Sequence, residues 1–199
     1  TTSLIESECL RNTGVSFDLS EMFTARNLFI EKGKRYIQSE GKTLFEAGGL
    51  AHDALYGMMK YGVIPEEYYP SGQAIRNSET SNIQLEDILK MYLQKCIAQK
   101  QTNTWMEHYV SILDSALGVP PQNFNYQGKE YTPITFAHEV LNIKPEDYVT
   151  ITSFTHHPYY KNFSLEIPDN YLLDGAYYNV PVNELISITE FAIEKGYSV

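Results

Sequence analysis

Apolar residues first recur along this chain at the helical period. In Thr1 to Leu10 the apolar positions Leu4, Ile5 and Cys9 share one helical face, so a helix is expected to be running already at residue 1. Asp18-Leu19-Ser20-Glu21 offers a capping-box-like start to a second helix that runs to Ser39 and is closed by Gly41. Gly48-Gly49 opens a third, in which Leu50, Ala51, Ala54, Leu55, Met58 and Met59 keep the helical spacing until Gly62 caps it. Pro65 and Pro70, with tyrosines between them, predict a stiff extended connection. A helical pair follows: Leu85, Ile88, Leu89, Tyr92 and Cys96 form one stripe, and Trp105, Tyr109, Ile112, Leu113 and Ala116 another, closed by Gly118.

The pattern then changes. After a short helix near Thr135, Tyr148 to Phe154 and Phe163 to Ile167 are rich in β-branched and aromatic residues and predict strands. Leu185, Ile188, Thr189, Ala192 and Ile193 restore a helical stripe, Gly196 is a natural C-cap, and Tyr197-Ser198-Val199 reads as the start of a strand. Helices first and strands later give an α+β fold. A helix in progress at one end and a strand stub at the other make both ends read as cut.

At 199 residues and 43% hydrophobic content the chain can bury a sizeable core. Its net charge of −10 and lack of Lys/Arg clusters argue against nucleic acid as a partner. No apolar run approaches the roughly 18 residues that a bilayer crossing needs, so no membrane partner is expected. Cys9 and Cys96 both sit at apolar helical positions and read as buried thiols. A reactive thiolate needs a helix N-terminus and a nearby imidazolium, so Cys9, inside a helix, is not a nucleophile candidate. His156 and His157, adjacent on an extended segment, should point opposite ways, while His52, His108 and His138 are scattered and no HExxH occurs, so neither metal nor cofactor is expected.

Several segments together resemble a known family. Gly48-Gly49-Leu50-Ala51-His52-Asp53-Ala54-Leu55, running on through Lys60-Tyr61-Gly62-Val63-Ile64-Pro65 to Tyr69-Pro70, is similar to the two-glycine substrate strand, following helix and "YG…YP" turn of papain-type cysteine peptidases. Gly118-Val119-Pro120-Pro121 with Tyr131 to Phe136, Tyr148 to Pro158, and Asp169-Asn170 with Tyr177-Tyr178-Asn179-Val180-Pro181 resemble the bleomycin hydrolase/aminopeptidase C branch. The resemblance implies a two-lobed papain-like fold: residues 1–77 as helical lobe, 78–131 as a helical insertion, and 132–199 as the start of an antiparallel β-barrel lobe. It implies thiolate attack, an acyl-enzyme and imidazole acid–base catalysis on peptide substrates, with aminopeptidase action. It also implies that the nucleophilic cysteine precedes Thr1 and that the histidine and asparagine follow Val199, leaving no catalytic residue within the chain.

The expected substrate-binding residues are Gly48, Gly49, Leu50, Ala51 and His157. A residue without Cβ lets an extended peptide approach the backbone, for Gly49 above all, while Leu50 and Ala51 border the pocket for the second side chain or simply pack the helix. Ser153 to Pro158 is expected as a strand-end loop beside the cleft. The family further implies a homo-oligomer, a hexamer, and favours the cytoplasm, with a secreted or periplasmic location left open. The alternative is a non-catalytic peptide-binding or assembly module of the same fold.

Overall fold

The structure, a computed structural model, describes residues 2–46, 48–70, 85–100, 103–167, 170 and 176–199. The expected 77/78 boundary and Asp169 lie outside the described residues. Helix α1 (Thr2–Thr13) buries Ile5 and Cys9, as its stripe predicts. Helix α2 (Glu21–Gln38) starts at Ser20, whose hydroxyl accepts the Phe23 amide at 3.1 Å and donates to the Tyr69 carbonyl at 2.5 Å, tying the cap to the connection that follows the third helix. That helix, α3 (Ala51–Tyr61), is terminated by Gly62 at φ +77. A Cβ there would stand 2.1 Å from the Pro133 carbonyl carbon, so backbone meets backbone at this point. The stretch between Pro65 and Pro70 is not fully extended as expected, because Glu66–Tyr68 forms one tight helical turn.

Helices α4 (Leu85–Ala98) and α5 (Trp105–Leu117) form the expected pair. They pack on α2 at Gly33, where an added Cβ would lie 2.8 Å from the Tyr109 ring, and the Tyr109 hydroxyl donates to the Phe29 carbonyl at 2.6 Å. A mid-helix glycine costs about 1 kcal/mol relative to alanine; here it admits a ring into the helix surface. Two cores result. One gathers Ile5, Cys9, Phe23, Met58, Ile64 and Phe136; the other gathers Tyr36, Phe45, Leu89, Leu93, Trp105 and Tyr109. Helix α2 serves both, supplying Phe23 to the first and Tyr36 to the second.

A hairpin follows, β1 (Phe124–Tyr126) and β2 (Lys129–Tyr131), paired Phe124 to Tyr131. Its turn residues Gln127 and Gly128 both have positive φ, +51 and +82, the geometry that suits the twist of a two-residue hairpin. Helix α6 (Pro133–Phe136) continues as one widened turn over Ala137–Leu141 and sends Phe136 into the first core, edge-on to Phe124, Tyr126 and Tyr131.

The remaining strands are β3 (Thr150–Thr152), β4 (Lys161–Ser164) and β5 (Ala176–Asn179), in the spatial order β3-β5-β4. Within the first predicted strand, Tyr148 to Phe154, only Thr150–Thr152 pairs; the second, expected over Phe163 to Ile167, instead begins at Lys161 and ends at Ser164. Pairing is mixed: β4 is antiparallel to β5, while β3 is parallel to it. Helix α7 (Val182–Glu194) follows the predicted stripe yet buries none of its residues, leaving Val182, Ile186, Phe191 and Ile193 exposed. Tyr197 to Val199 do not form the expected strand. The Tyr197 ring instead lies 4.0 Å beneath the Arg11 guanidinium, which pairs with Glu8 at 2.8 Å.

Candidate functional site

Gly48, Gly49, Leu50 and Ala51 form the lead into α3. Gly48, Gly49 and Ala51 are exposed, and Leu50 is half-buried at the N-cap. Gly48 has φ +102 with open space where a side chain would project, so the local backbone suits glycine for its conformation and leaves the surface clear. The Leu50 amide donates to Asp53 Oδ2 at 2.7 Å, an acidic residue at the third helical position capping its own helix. Asp53 is fully buried, and that burial holds its carboxyl above the usual range, offset in part by the Leu50 amide, His52 and Lys32. From α2, the Lys32 ammonium reaches across to the carbonyls of Glu46 and Gly48, each at 2.5 Å.

The second predicted element is the loop after β3. His157 is half-buried, stacked on Phe163 of β4 at 4.0 Å between ring centroids. His156 and His157 do not point opposite ways as an extended segment requires; they lie in a turn, and their rings sit 4.5 Å apart. Asn179 of β5 holds this loop. Its side-chain carbonyl accepts the Phe154 amide at 2.8 Å, and its amide donates to the carbonyls of Phe154 and His157 at 2.9 Å and of Pro158 at 3.3 Å. No hydrogen bond or ring contact among the described residues joins His157 directly to Gly48 through Ala51. The two elements are linked through aromatic rings: His52 is edge-on to Tyr177 at 5.7 Å, Tyr177 lies 6.1 Å from Phe163, and Phe163 carries His157.

Cys9 has no exposed surface. Burial, followed by the nearby Glu6 and Glu8 carboxylates, pushes its thiol up to about 12, so it remains protonated at neutral pH. Among the described residues no group of three or more His, Cys, Asp or Glu converges as a metal would need, and no helix is long and apolar enough to cross a membrane. Sequence reasoning missed Lys32, Asp53 and Asn179. Asp53 was findable, because an acid three residues after a helix start is a capping signal. Nothing in the sequence marks Lys32, which reads as a surface lysine; Asn179 stands in a family-like segment, but nothing there points to its hold on the loop.

Comparison with known proteins gives this geometry its setting. The chain is 25% identical to aminopeptidase C of Streptococcus thermophilus over 92% of its own length and 51% of that protein's. It is 27% identical to aminopeptidase C of Lactobacillus delbrueckii subsp. lactis over 63% of its length and 33% of that protein's. It thus spans at most about half the length of these curated relatives. Its fold is similar to that of PepW from Lactobacillus rhamnosis, with a TM-score of 0.69 at 18% identity, over 96% of this chain and 52% of that one. The fold is therefore α+β and papain-like. A model of the Peptidase C1-like family matches residues 25–199, and with the glycine segment, α3 and the β3 loop all inside that span, the chain belongs to the Peptidase C1-like family.

Proposed function

We propose that this chain is the substrate-cleft part of a cysteine aminopeptidase, with the nucleophile and general base supplied by other segments of a longer protein. The observation that carries this reading is the exposed Gly48-Gly49 edge, fixed ahead of α3 in a chain of this family. Extended peptides bind such edges through main-chain hydrogen bonds, and the absence of Cβ groups permits the approach. Leu50 and Ala51 flank the edge, and His157 borders the same cleft through the ring path from His52. In this reading residues 1–77 form the helical lobe, 78–131 an insertion, and 132–199 the start of the β-rich lobe.

The test pairs the chain with its full-length parent. The 199-residue chain should not turn over an aminoacyl fluorogenic substrate, whereas the parent should, and Gly49→Val in the parent should suppress turnover at nearly unchanged thermal stability. Turnover by the chain alone that is lost in Cys9→Ala would place the nucleophile at Cys9 and overturn the reading. A parent without turnover whose chain still binds peptides would favour the non-catalytic binding module.

A further inference from the structure

Lys32 lies on the inner side of α2, only 7% exposed. Removing an ammonium from water is costly unless oxygen atoms replace its hydration, and here they do: the carbonyls of Glu46 and Gly48 each lie 2.5 Å from Nζ. Gly49, the next residue along, is exposed. On the far flank, Asp53 Oδ2 takes the Leu50 amide at 2.7 Å. Two buried side chains of opposite charge, one from α2 and one from α3, therefore hold three backbone groups within residues 46–50. Neither holds Gly49, whose amide and carbonyl make no hydrogen bond with the described residues.

We propose that Lys32 is a positioning residue for the glycine edge. It draws the carbonyls of Glu46 and Gly48 inward and so presents the amide and carbonyl of Gly49 outward, as a donor–acceptor pair for one residue of an extended peptide. The presentation to peptide rests on the cleft reading above; the inward clamp stands on the geometry alone. The role is specific to Lys32. Lys34, on the same helix, pairs with Glu31 at 2.7 Å and makes no described contact with the glycine segment.

Two measurements on the 199-residue chain separate these statements. Amide hydrogen exchange should rise at Leu50, whose amide is held by Asp53, by about tenfold to a hundredfold in Lys32→Met, the range for one charged hydrogen bond. Amides of α2 should stay unchanged, Lys32→Arg should restore most of the protection, and Lys34→Met should leave the segment as in wild type. Unchanged exchange in Lys32→Met, or an equal rise throughout α2, overturns the proposal. If Lys32→Met does not fold, Lys32→Gln, which keeps a neutral donor, carries the same comparison.

Titration with an acetylated, amidated tri-alanine peptide, followed at the Gly49 amide, tests the presentation. Wild type should bind, and Lys32→Met should bind roughly tenfold more weakly, as expected for loss of one charged contact. Gly49→Val should abolish binding without loosening the segment. If wild type does not bind while the exchange pattern holds, the cleft reading falls and the clamp stands. If wild type and Lys32→Met bind equally, the positioning role falls and the cleft reading stands.

Discussion

Replacing Gly62 by alanine probes a point where two backbone segments meet closely. Two penalties combine there. Gly62 has φ +77 and ψ −161, a region all but reserved for glycine, and holding an L-residue there costs about 1–3 kcal/mol. The added Cβ would also stand 2.1 Å from the Pro133 carbonyl carbon, 2.2 Å from its oxygen and 2.3 Å from the Ile134 nitrogen. Backbone cannot swing aside as a flexible side chain can, so α6 must retreat, straining the 3.2 Å hydrogen bond from the Val63 amide to the Pro133 carbonyl and opening the packing around Phe136. Overpacking of this kind costs about 1–3 kcal/mol or more, giving a total of about 2–6 kcal/mol. Gly14 and Gly128 separate the two penalties. Their φ values are +71 and +82, and nothing lies within 4 Å of the Cβ each would gain. Gly14→Ala and Gly128→Ala should therefore bear only the cost of a positive φ, with no clash. Thermal unfolding followed by far-UV circular dichroism should place both controls within a few degrees of wild type, taking about 2–4 °C per kcal/mol at this size. Gly62→Ala should fall well below them or fail to fold. Equal shifts in all three variants would refute the contact.

Asn179→Ala removes four hydrogen bonds from the loop at Phe154 to Pro158 and should cost about 2–4 kcal/mol in chemical denaturation; Asn179→Asp, which sets an acceptor against three carbonyls, should be no better. Glu31 is pushed up by burial but brought down to about 2 by hydrogen bonds from Lys34, Lys60 and Tyr61. Because the folded value lies below the ordinary 4.5, its stabilisation is complete above that pH and is lost as pH falls from 4.5 toward 2. Acid titration should show a stability loss on the order of 2 kcal/mol across that window, absent from Glu31→Gln. The Cys9 thiol should resist iodoacetamide in the native chain at pH 8 and react once urea unfolds it; rapid native labelling would contradict its burial.

The helices were legible because long apolar stripes repeat and their ends carry chemical punctuation, as Ser20 and Gly62 illustrate. The strands were harder. Three- or four-residue strands such as β1, β2 and β5 are too short for alternation to declare itself, and the hairpin turn Gln127-Gly128 lacks the Asn or Asp that usually announces one. The turn at His156 and His157 was hidden because its cause lies far along the chain, in the side chain of Asn179. At the candidate site the glycine pair was visible as sequence, whereas the support beneath it was not. A lysine within a helix reads as solvated, and only the packing of α2 against the chain before α3 reveals that Lys32 faces inward.

Trp105 is the single tryptophan of the chain, and it belongs to the core built by α2, α4 and α5, edge-on to Tyr109 at 5.6 Å. Indole emission therefore reports one half of the molecule and is blind to the other, whereas tyrosine ellipticity samples both, through Tyr69 in the first core and Tyr36 and Tyr109 in the second. Because α2 is a single helix shared by the two, melting it from either end withdraws a wall from the other. The two optical signals, arising in different places, should trace the same transition for as long as that helix stays whole.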